Sequence, residues 1–267
     1  QEARDYSMVL FLGILSSYFL FLAEKRRKFT LWLLFVVASL CGIYTNYFYI
    51  FLIVSQFIYI VYIVRLRDIK LYLPFVCIAM LFSFYLQRFM NKFIEVSKGF
   101  WVLTPNLQSL SITFGNYMLG YSGTSFLYSL SSFLTLGLFM TLYLIIRKEK
   151  EDIKSVSFCL FLSLFPVFLV FLFSRLFFSV YLNRAFLLVS PYFYLLISWI
   201  VVKLQRKAAV IIAGILVLIF SCGALLYFHD HMYPPIEYHM GTYIKKPLRP
   251  VVNFLKSINV DLNDIVV

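Results

Sequence analysis

The chain has 267 residues, of which 62% are hydrophobic and only 13% are charged, with a formal net charge of +12. Soluble globular domains usually contain about 25% charged residues, so this composition excludes that class. We expect a polytopic integral membrane protein of the all-α class. The basic residues lie between apolar runs and form no continuous face, which argues against nucleic acid as a partner.

Eight apolar runs could form transmembrane helices, because a helix needs about 20 apolar residues to cross the hydrocarbon core. We predict these spans at residues 7–24, 30–45, 47–64, 70–87, 125–146, 155–174, 184–202 and 208–228. The polar break YTNY at 44–47 is the only interruption of residues 30–64, which are too long for one crossing, so a hairpin is predicted there. The loop 88–124 mixes aromatic with small polar residues, which predicts interfacial helices joined by turns.

The short basic loops predict the orientation of the spans. Four loops that fall on one side contain fourteen of the 24 Lys and Arg residues: 24–28, 65–70, 147–154 and 203–207. The positive-inside rule places these loops in the cytoplasm. Residues 1–6, 44–47, 88–124, 175–184 and everything after 228 then lie outside. We expect residues 1–6, 44–47 and 175–184 to converge on one cavity at that outer face.

Ionisable residues at the outer ends of two spans are the first candidates for a site, because such groups are costly beside lipid unless they pair or face a cavity. Glu2, Arg4 and Asp5 precede the first span, and Asn183 and Arg184 open the seventh. An ordinary solvated flank is the alternative for the first three. Arginine guanidinium groups suit phosphate oxygens, so Arg4 and Arg184 could hold an anionic lipid headgroup.

Three stretches carry a resemblance to a known family: QEARDY at the start, IYTNYF at 43–48 and NRAFLLVSP at 183–191. In this order they resemble motifs of the C-type superfamily of membrane glycosyltransferases, which use polyprenyl-phosphate sugars. The relatives include the protein O-mannosyltransferases and the aminoarabinose transferase of lipid A. The chain departs from the family pattern at Asn46, where the family usually has His, and at Ala185 and Val189, where it has Tyr and Pro.

The resemblance implies transfer of a sugar from a polyprenyl-phosphate donor to a lipid, glycan or protein acceptor. The reaction would modify the cell envelope at the outer face of the bacterial cytoplasmic membrane. The substrate-binding residues that it implies are Gln1, Arg4, Asn46, Asn183 and Arg184. Glu2 would support catalysis, while the main base would come from an outer loop that precedes residue 1.

The same resemblance implies that the chain is a fragment. Residues 1–228 would form a partial transmembrane core, and residues 229–267 would lead into a soluble outer domain that continues beyond the chain. A divalent metal ion is a candidate cofactor. His229 and His231 could ligate such an ion, and a polar interfacial turn is the alternative explanation for them.

Two other functions remain open. A polymerase or ligase of surface polysaccharide would also be a multi-span protein with basic outer residues. A transporter would need polar or ionisable residues at mid-span and broken helices in paired halves, whereas the predicted spans contain almost no charge.

Overall fold

A computed structural model of the chain describes residues 6–64, 69–98, 102, 104–119, 125–148, 153–204 and 206–228. These residues are almost entirely helical, and no β-strand occurs among them. The α-helices that they form are α1 Tyr6–Arg26, α2 Phe29–Thr45, α3 Tyr49–Val64, α4 Leu73–Ser83, α5 Leu86–Ser97, α6 Leu107–Leu119, α7 Ser125–Lys148, α8 Ile153–Leu176, α9 Ser190–Lys203 and α10 Arg206–Phe228. Two 3₁₀ helices occupy Ile69–Leu71 and Asn183–Leu188.

Several helices have the length and composition needed to cross a membrane. Among the described residues, these are Tyr6–Arg26, Tyr128–Arg147 and Ile153–Leu176, and α4 with α5 would add a fourth span if the bent pair counts as one. Shorter apolar helices occupy Phe29–Thr45, Tyr49–Tyr62 and Ser190–Lys203. The fold is that of an all-α membrane protein.

The outer surface of the bundle is apolar, as lipid contact requires. Helix α7 exposes a stripe of large apolar side chains, and α10 exposes another: Phe133, Leu136, Met140 and Leu144, then Val210, Ile211, Val217 and Leu218. Soluble monomeric proteins rarely expose this much contiguous apolar surface. These faces are therefore suited to acyl chains rather than water.

Helices α1, α2 and α3 form the first part of the bundle. Arg27 adopts a left-handed backbone conformation with φ 55°, and its amide donates to Ala23 O at 2.8 Å, which ends α1 and turns the chain into α2. The predicted break at 44–47 is present, because α2 ends at Thr45 and α3 begins at Tyr49. Helix α3 runs parallel to α1, so α2 between them runs the opposite way.

The two ends of the bundle are distinguishable by their contacts. Lys154 Nζ, at the start of α8, lies 2.5 Å from Glu24 Oε1 near the end of α1, and Tyr59 of α3 donates to Lys154 O at 3.2 Å. We call this the Glu24 end. The other end holds the turn between α2 and α3, and we call it the Asn46 end. Glu24 and Lys154, which belong to two of the predicted basic loops, thus meet at one end.

The fourth predicted span, 70–87, is not one straight helix. Helix α4 has only 11 residues, and α5 turns from it by 73°. The turn falls where the sequence changes from uniformly apolar to amphipathic, with Arg88, Lys92 and Glu95 on α5. A helix with such charges leaves the apolar layer rather than continuing through it.

The seventh predicted span, 184–202, is also interrupted. Residues Asn183–Leu188 form a 3₁₀ helix, and α9 starts only at Ser190, with Pro191 in its first turn. Proline fits the first turn of a helix because its missing N–H has no partner to lose there. The 14 residues of α9 measure about 21 Å, which is short of the hydrocarbon thickness.

Candidate functional site at the Asn46 end

The turn that contains Asn46 is held by its own side chain. Asn46 Oδ1 accepts a hydrogen bond from the Phe48 amide at 2.9 Å, and Asn46 O accepts from the Tyr49 amide at 3.0 Å. Asparagine commonly forms such turns because its short side chain imitates a backbone carbonyl. The structure therefore gives Asn46 a role in starting α3, and its predicted role in substrate binding stays a prediction.

Phe48 links this turn to the second predicted site segment. Its ring packs against a buried cluster formed by Val102, Leu182 and Ala185. Leu182 directly precedes Asn183 and Arg184, so the segments 44–48 and 182–185 meet at one end of the bundle although they are far apart in sequence. Gln1, Glu2 and Arg4 lie outside the described residues, as do residues 229–267 with His229 and His231.

Asn183 is buried in a hydrogen-bonded network with α6. Thr113 Oγ1 lies 2.7 Å from the Tyr181 hydroxyl and 3.0 Å from Asn183 Oδ1. It also lies 2.9 Å from Ser109 O in the same helix. The single Thr113 proton is shared between Asn183 and Ser109, while Tyr181 can donate to Thr113. Burial raises the pKa of Tyr181, and the hydrogen bond to Thr113 lowers it in part, so this hydroxyl remains a neutral donor at physiological pH.

A second set of bonds fixes the 3₁₀ helix that Asn183 opens. Tyr117 of α6 donates to Phe186 O at 3.1 Å, and Tyr194 of α9 donates to Tyr117 O at 2.7 Å. Helix α6 thus bonds the 3₁₀ helix directly, and α9 in turn bonds α6. The backbone that carries Arg184 is therefore fixed by contacts independent of Arg184 itself.

Arg184 is the charged residue of this segment, and its side chain is half-buried. Its Nε atom is buried and has no hydrogen-bond partner. A buried donor of this kind costs free energy until an acceptor reaches it, and a guanidinium group favours a doubly accepting anion such as a phosphate or carboxylate. The Nε–H of Arg184 is therefore a donor that an anionic ligand could satisfy.

Carboxylates are scarce in the part of the chain that the structure describes. Only Glu24 and Glu95 occur there, and each is ion-paired, with Lys154 and with Lys92 at 2.9 Å. Glu24 lies at the opposite end of the bundle from Arg184. Within the described ranges, no group of three His, Cys, Asp or Glu side chains could hold a metal ion.

Aromatic side chains border the site. Tyr47 lies beside Tyr85, with hydroxyl oxygens 3.4 Å apart, and its ring contacts Phe89 at a centroid distance of 5.3 Å. The hydrogen bond to Tyr85 raises the pKa of Tyr47, burial raises it further, and the charge of Arg88 lowers it in part. Tyr47 therefore presents a neutral hydroxyl group at the Asn46 end.

A second polar cluster lies deeper, between α1, α3 and α9. Gln56 Nε2 donates to Ser17 Oγ at 2.8 Å, and Ser17 Oγ lies 2.6 Å from the Tyr192 hydroxyl, which donates to Gly13 O at 2.9 Å. Tyr49 donates to Leu12 O at 2.8 Å. Gln56 is fully buried, and its Oε1 has no hydrogen-bond partner.

Sequence reasoning missed both networks. Thr113, Tyr181 and Gln56 are single polar residues in strongly apolar or aromatic surroundings, and hydropathy alone treats them as tolerated exceptions. An unpaired polar group is costly in lipid, so each of these residues predicts a hydrogen-bond partner on another helix. The partner itself cannot be read from one sequence, because Thr113 and Asn183 are joined only by the fold.

No known protein family, characterised protein or solved structure matches the chain in sequence or structural comparison.

Proposed function

We propose that the chain is the membrane core of a glycosyltransferase that moves a sugar from a polyprenyl-phosphate donor to an acceptor at the outer membrane face. The observation that carries this proposal is Arg184, whose buried Nε lacks a partner while hydrogen bonds from α6 hold Asn183 and the Phe186 carbonyl on either side of it. The resemblance of QEARDY, IYTNYF and NRAFLLVSP to the C-type superfamily supports the same assignment.

The proposed topology has eight crossings in the bacterial cytoplasmic membrane, with the Glu24 end in the cytoplasm. The charge of the short loops at that end supports this orientation. The 3₁₀ helix Asn183–Leu188 and α9 would cross together as one interrupted span, and α5 would lie along the outer surface after the bend that follows α4.

The proposed reaction makes limited demands on the residues of this site. The acceptor oxygen attacks the anomeric carbon of the sugar, the bond from that carbon to the phosphate oxygen breaks, and the lipid phosphate leaves with the electron pair. Arg184 would stabilise the leaving phosphate. The acceptor proton must go to a carboxylate, and Glu24 and Glu95 are both ion-paired, so we assign this task to a residue outside the described ranges, with Glu2 in support.

Substitution of Arg184 in the full-length protein tests the proposal. Arg184→Lys keeps the charge but loses the guanidinium fork, so sugar transfer from a synthetic polyprenyl-phosphate sugar should fall at least about tenfold. Arg147→Lys is the matched control, because Arg147 is exposed at the far end of α7. Equal transfer rates in Arg184→Lys, Arg147→Lys and the unmodified protein would remove Arg184 from the site. If the unmodified protein transfers no sugar from any polyprenyl-phosphate donor tested, the glycosyltransferase assignment is wrong.

A multi-span transporter is the second candidate, and the cluster around Gln56 is the observation that favours it. Transporters place polar groups at mid-span, and Gln56 Oε1 is buried there without a partner. The cluster contains no charged residue, which is a weaker arrangement for moving ions. Solute flux in proteoliposomes that is lost in Gln56→Leu, together with unchanged sugar transfer, would favour transport over glycosyl transfer.

A further inference from the structure

Helix α5 presents three different faces. One face carries Phe89 and Phe93 and packs on the bundle. Phe89 contacts Tyr47 at a ring-centroid distance of 5.3 Å, and Phe93 contacts Phe178 at 4.9 Å. Through these contacts, α5 packs against both the α2–α3 turn and the end of α8. The helix is therefore an ordered part of the Asn46 end.

A second face is apolar but exposed. Leu86, Met90 and Ile94 follow one another at intervals of four residues, so they form one stripe along the helix. Their exposed fractions are 44%, 42% and 45%, which leaves nearly half of each side chain outside the protein. The stripe lies about 80° around the helix from the Phe89 and Phe93 face. It is a surface that needs an apolar environment.

The third face is basic. Arg88 and Lys92 lie on the side opposite the apolar stripe, and Lys98 follows the last residue of the helix. Glu95 is the acidic residue among them and pairs with Lys92 at the surface, where such pairs contribute little. Arg88 lies 6.0 Å from the centre of the Tyr85 ring. The helix and the residue that follows it keep an excess of two positive charges.

The bend between α4 and α5 sets the direction of these faces. If α4 crosses the bilayer, a 73° turn brings α5 close to the membrane plane. A helix in that plane has its apolar stripe in the acyl boundary and its basic side at the headgroups. Both faces then match one partner, because the apolar stripe suits acyl chains and the excess positive charge suits anionic headgroups.

We propose that α5 is a binding surface for anionic phospholipids, which the basic face recognises while Leu86, Met90 and Ile94 insert among the acyl chains. This interaction is independent of the reaction that the site performs. It predicts that anionic lipid is enriched around α5 relative to neutral lipid in the same membrane.

The test uses the full-length protein with Met90→Trp as a fluorescent reporter in nanodiscs of equimolar phosphatidylcholine and phosphatidylglycerol. Bromine atoms, which quench tryptophan, are placed on the acyl chains of one lipid or the other. The unmodified protein supplies the background from its native tryptophans. Quenching should be stronger when phosphatidylglycerol carries the bromine, and the excess should shrink at high salt.

Variants separate the basic face from the stripe. In the Met90→Trp background, Arg88→Gln with Lys92→Gln should abolish the excess quenching by phosphatidylglycerol but keep quenching by phosphatidylcholine. Arg206→Gln with Lys207→Gln, at the opposite end of the bundle, should keep the excess. Equal quenching by the two lipids in the Met90→Trp protein would overturn the proposal. The absence of quenching by either lipid would also overturn it, since another part of the chain or a protein partner would then cover the stripe.

Discussion

Gly42 shows how closely two helices approach at the Asn46 end. A Cβ atom at this position would overlap the ring of Tyr49, which is fully buried and donates hydrogen bonds to α1. Glycine is therefore required here for space rather than for backbone freedom. Gly137 on α7 is the opposite case, because no atom beyond its own stretch of helix lies within 4 Å of its Cβ position.

We expect Gly42→Ala to destabilise the protein by about 1–3 kcal/mol, the usual cost of forcing an extra methyl group into a packed core. The Tyr49 ring would have to move and would lose its bonds to Leu12 O and Ser16. Gly137→Ala, the matched control, should be neutral or stabilising by up to about 1 kcal/mol, since alanine favours helix and meets open space. Thermal unfolding in detergent measures both. A Gly42→Ala protein as stable as Gly137→Ala would contradict the packing at Tyr49.

The candidate site was partly predictable at the level of single residues. Asn183 and Arg184 were identified from sequence because a charged residue at the boundary of an apolar run is costly and so invites a functional explanation. Thr113 could not be identified, because a threonine in an aromatic segment is unremarkable until its partner is known. Asn46 was predicted as a substrate ligand, and the structure adds a turn-forming bond to Phe48 that sequence reasoning did not consider.

Helix α6 is the element that fixes the Arg184 segment. It reaches this segment through two hydroxyl groups, those of Thr113 and Tyr117, which bind Asn183 and the Phe186 carbonyl. The sequence predicted helices in the plane of the membrane for residues 88–124. Their position relative to the membrane stays a prediction, and the structure adds that α6 buries Ile112, Tyr117 and Met118 against the bundle.

Removal of the Thr113 hydroxyl should loosen this docking. Thr113→Val keeps the shape but leaves Tyr181 and Asn183 without their shared partner, which should cost about 1–2 kcal/mol of stability. If Arg184 binds the donor phosphate, the donor KM should rise severalfold with a smaller change in kcat. Thr141→Val is the control, because the Thr141 hydroxyl bonds only Gly137 O within its own helix. Equal melting temperatures for the two variants would show that the α6 contact is dispensable.

The breaks in the helices were harder to predict than the helices themselves. Hydropathy recognises apolar runs but does not report where the backbone stops being helical. Pro191 did carry a signal, since proline after Ser190 is typical of a helix start, and it marks the beginning of α9. The bend between α4 and α5 has no proline or glycine, and its signal was the change from apolar to amphipathic sequence after Ser83.

At the scale of the whole molecule, the two ends of the bundle differ in chemistry. The Glu24 end joins α1, α3 and α8 through Glu24, Tyr59 and Lys154. The Asn46 end gathers aromatic rings, the Arg184 segment and α5. The contact between Glu24 and Lys154 brings together residues of two predicted basic loops, while the common side of all four loops stays a prediction.

Cysteine labelling tests which end faces outward. In a protein whose four native cysteines are replaced by alanine, Asn91→Cys on α5 should react with a membrane-impermeant maleimide in intact cells. Lys207→Cys, at the start of α10, should react only after permeabilisation, because positive loops stay in the cytoplasm. Both side chains are exposed in the structure, so accessibility depends on sidedness. The reverse pattern would invert the proposed orientation, and labelling of both in intact cells would contradict separation of the two ends by a membrane.

The buried amide of Gln56 bears on how the chain enters the membrane during synthesis. Alone in lipid, α3 would expose this amide to hydrocarbon, whereas in the fold it bonds to Ser16 and Ser17 of α1. The ribosome delivers α1 first, so these hydroxyls are already in the bilayer when α3 arrives. In a translocon insertion assay, α3 should therefore insert efficiently behind native α1 and poorly behind a Ser16→Ala, Ser17→Ala version. In the Gln56→Leu variant, insertion of α3 should be equally efficient behind both versions of α1. If native α3 also inserts equally well behind both versions, its insertion does not depend on the Ser16 and Ser17 hydroxyl groups.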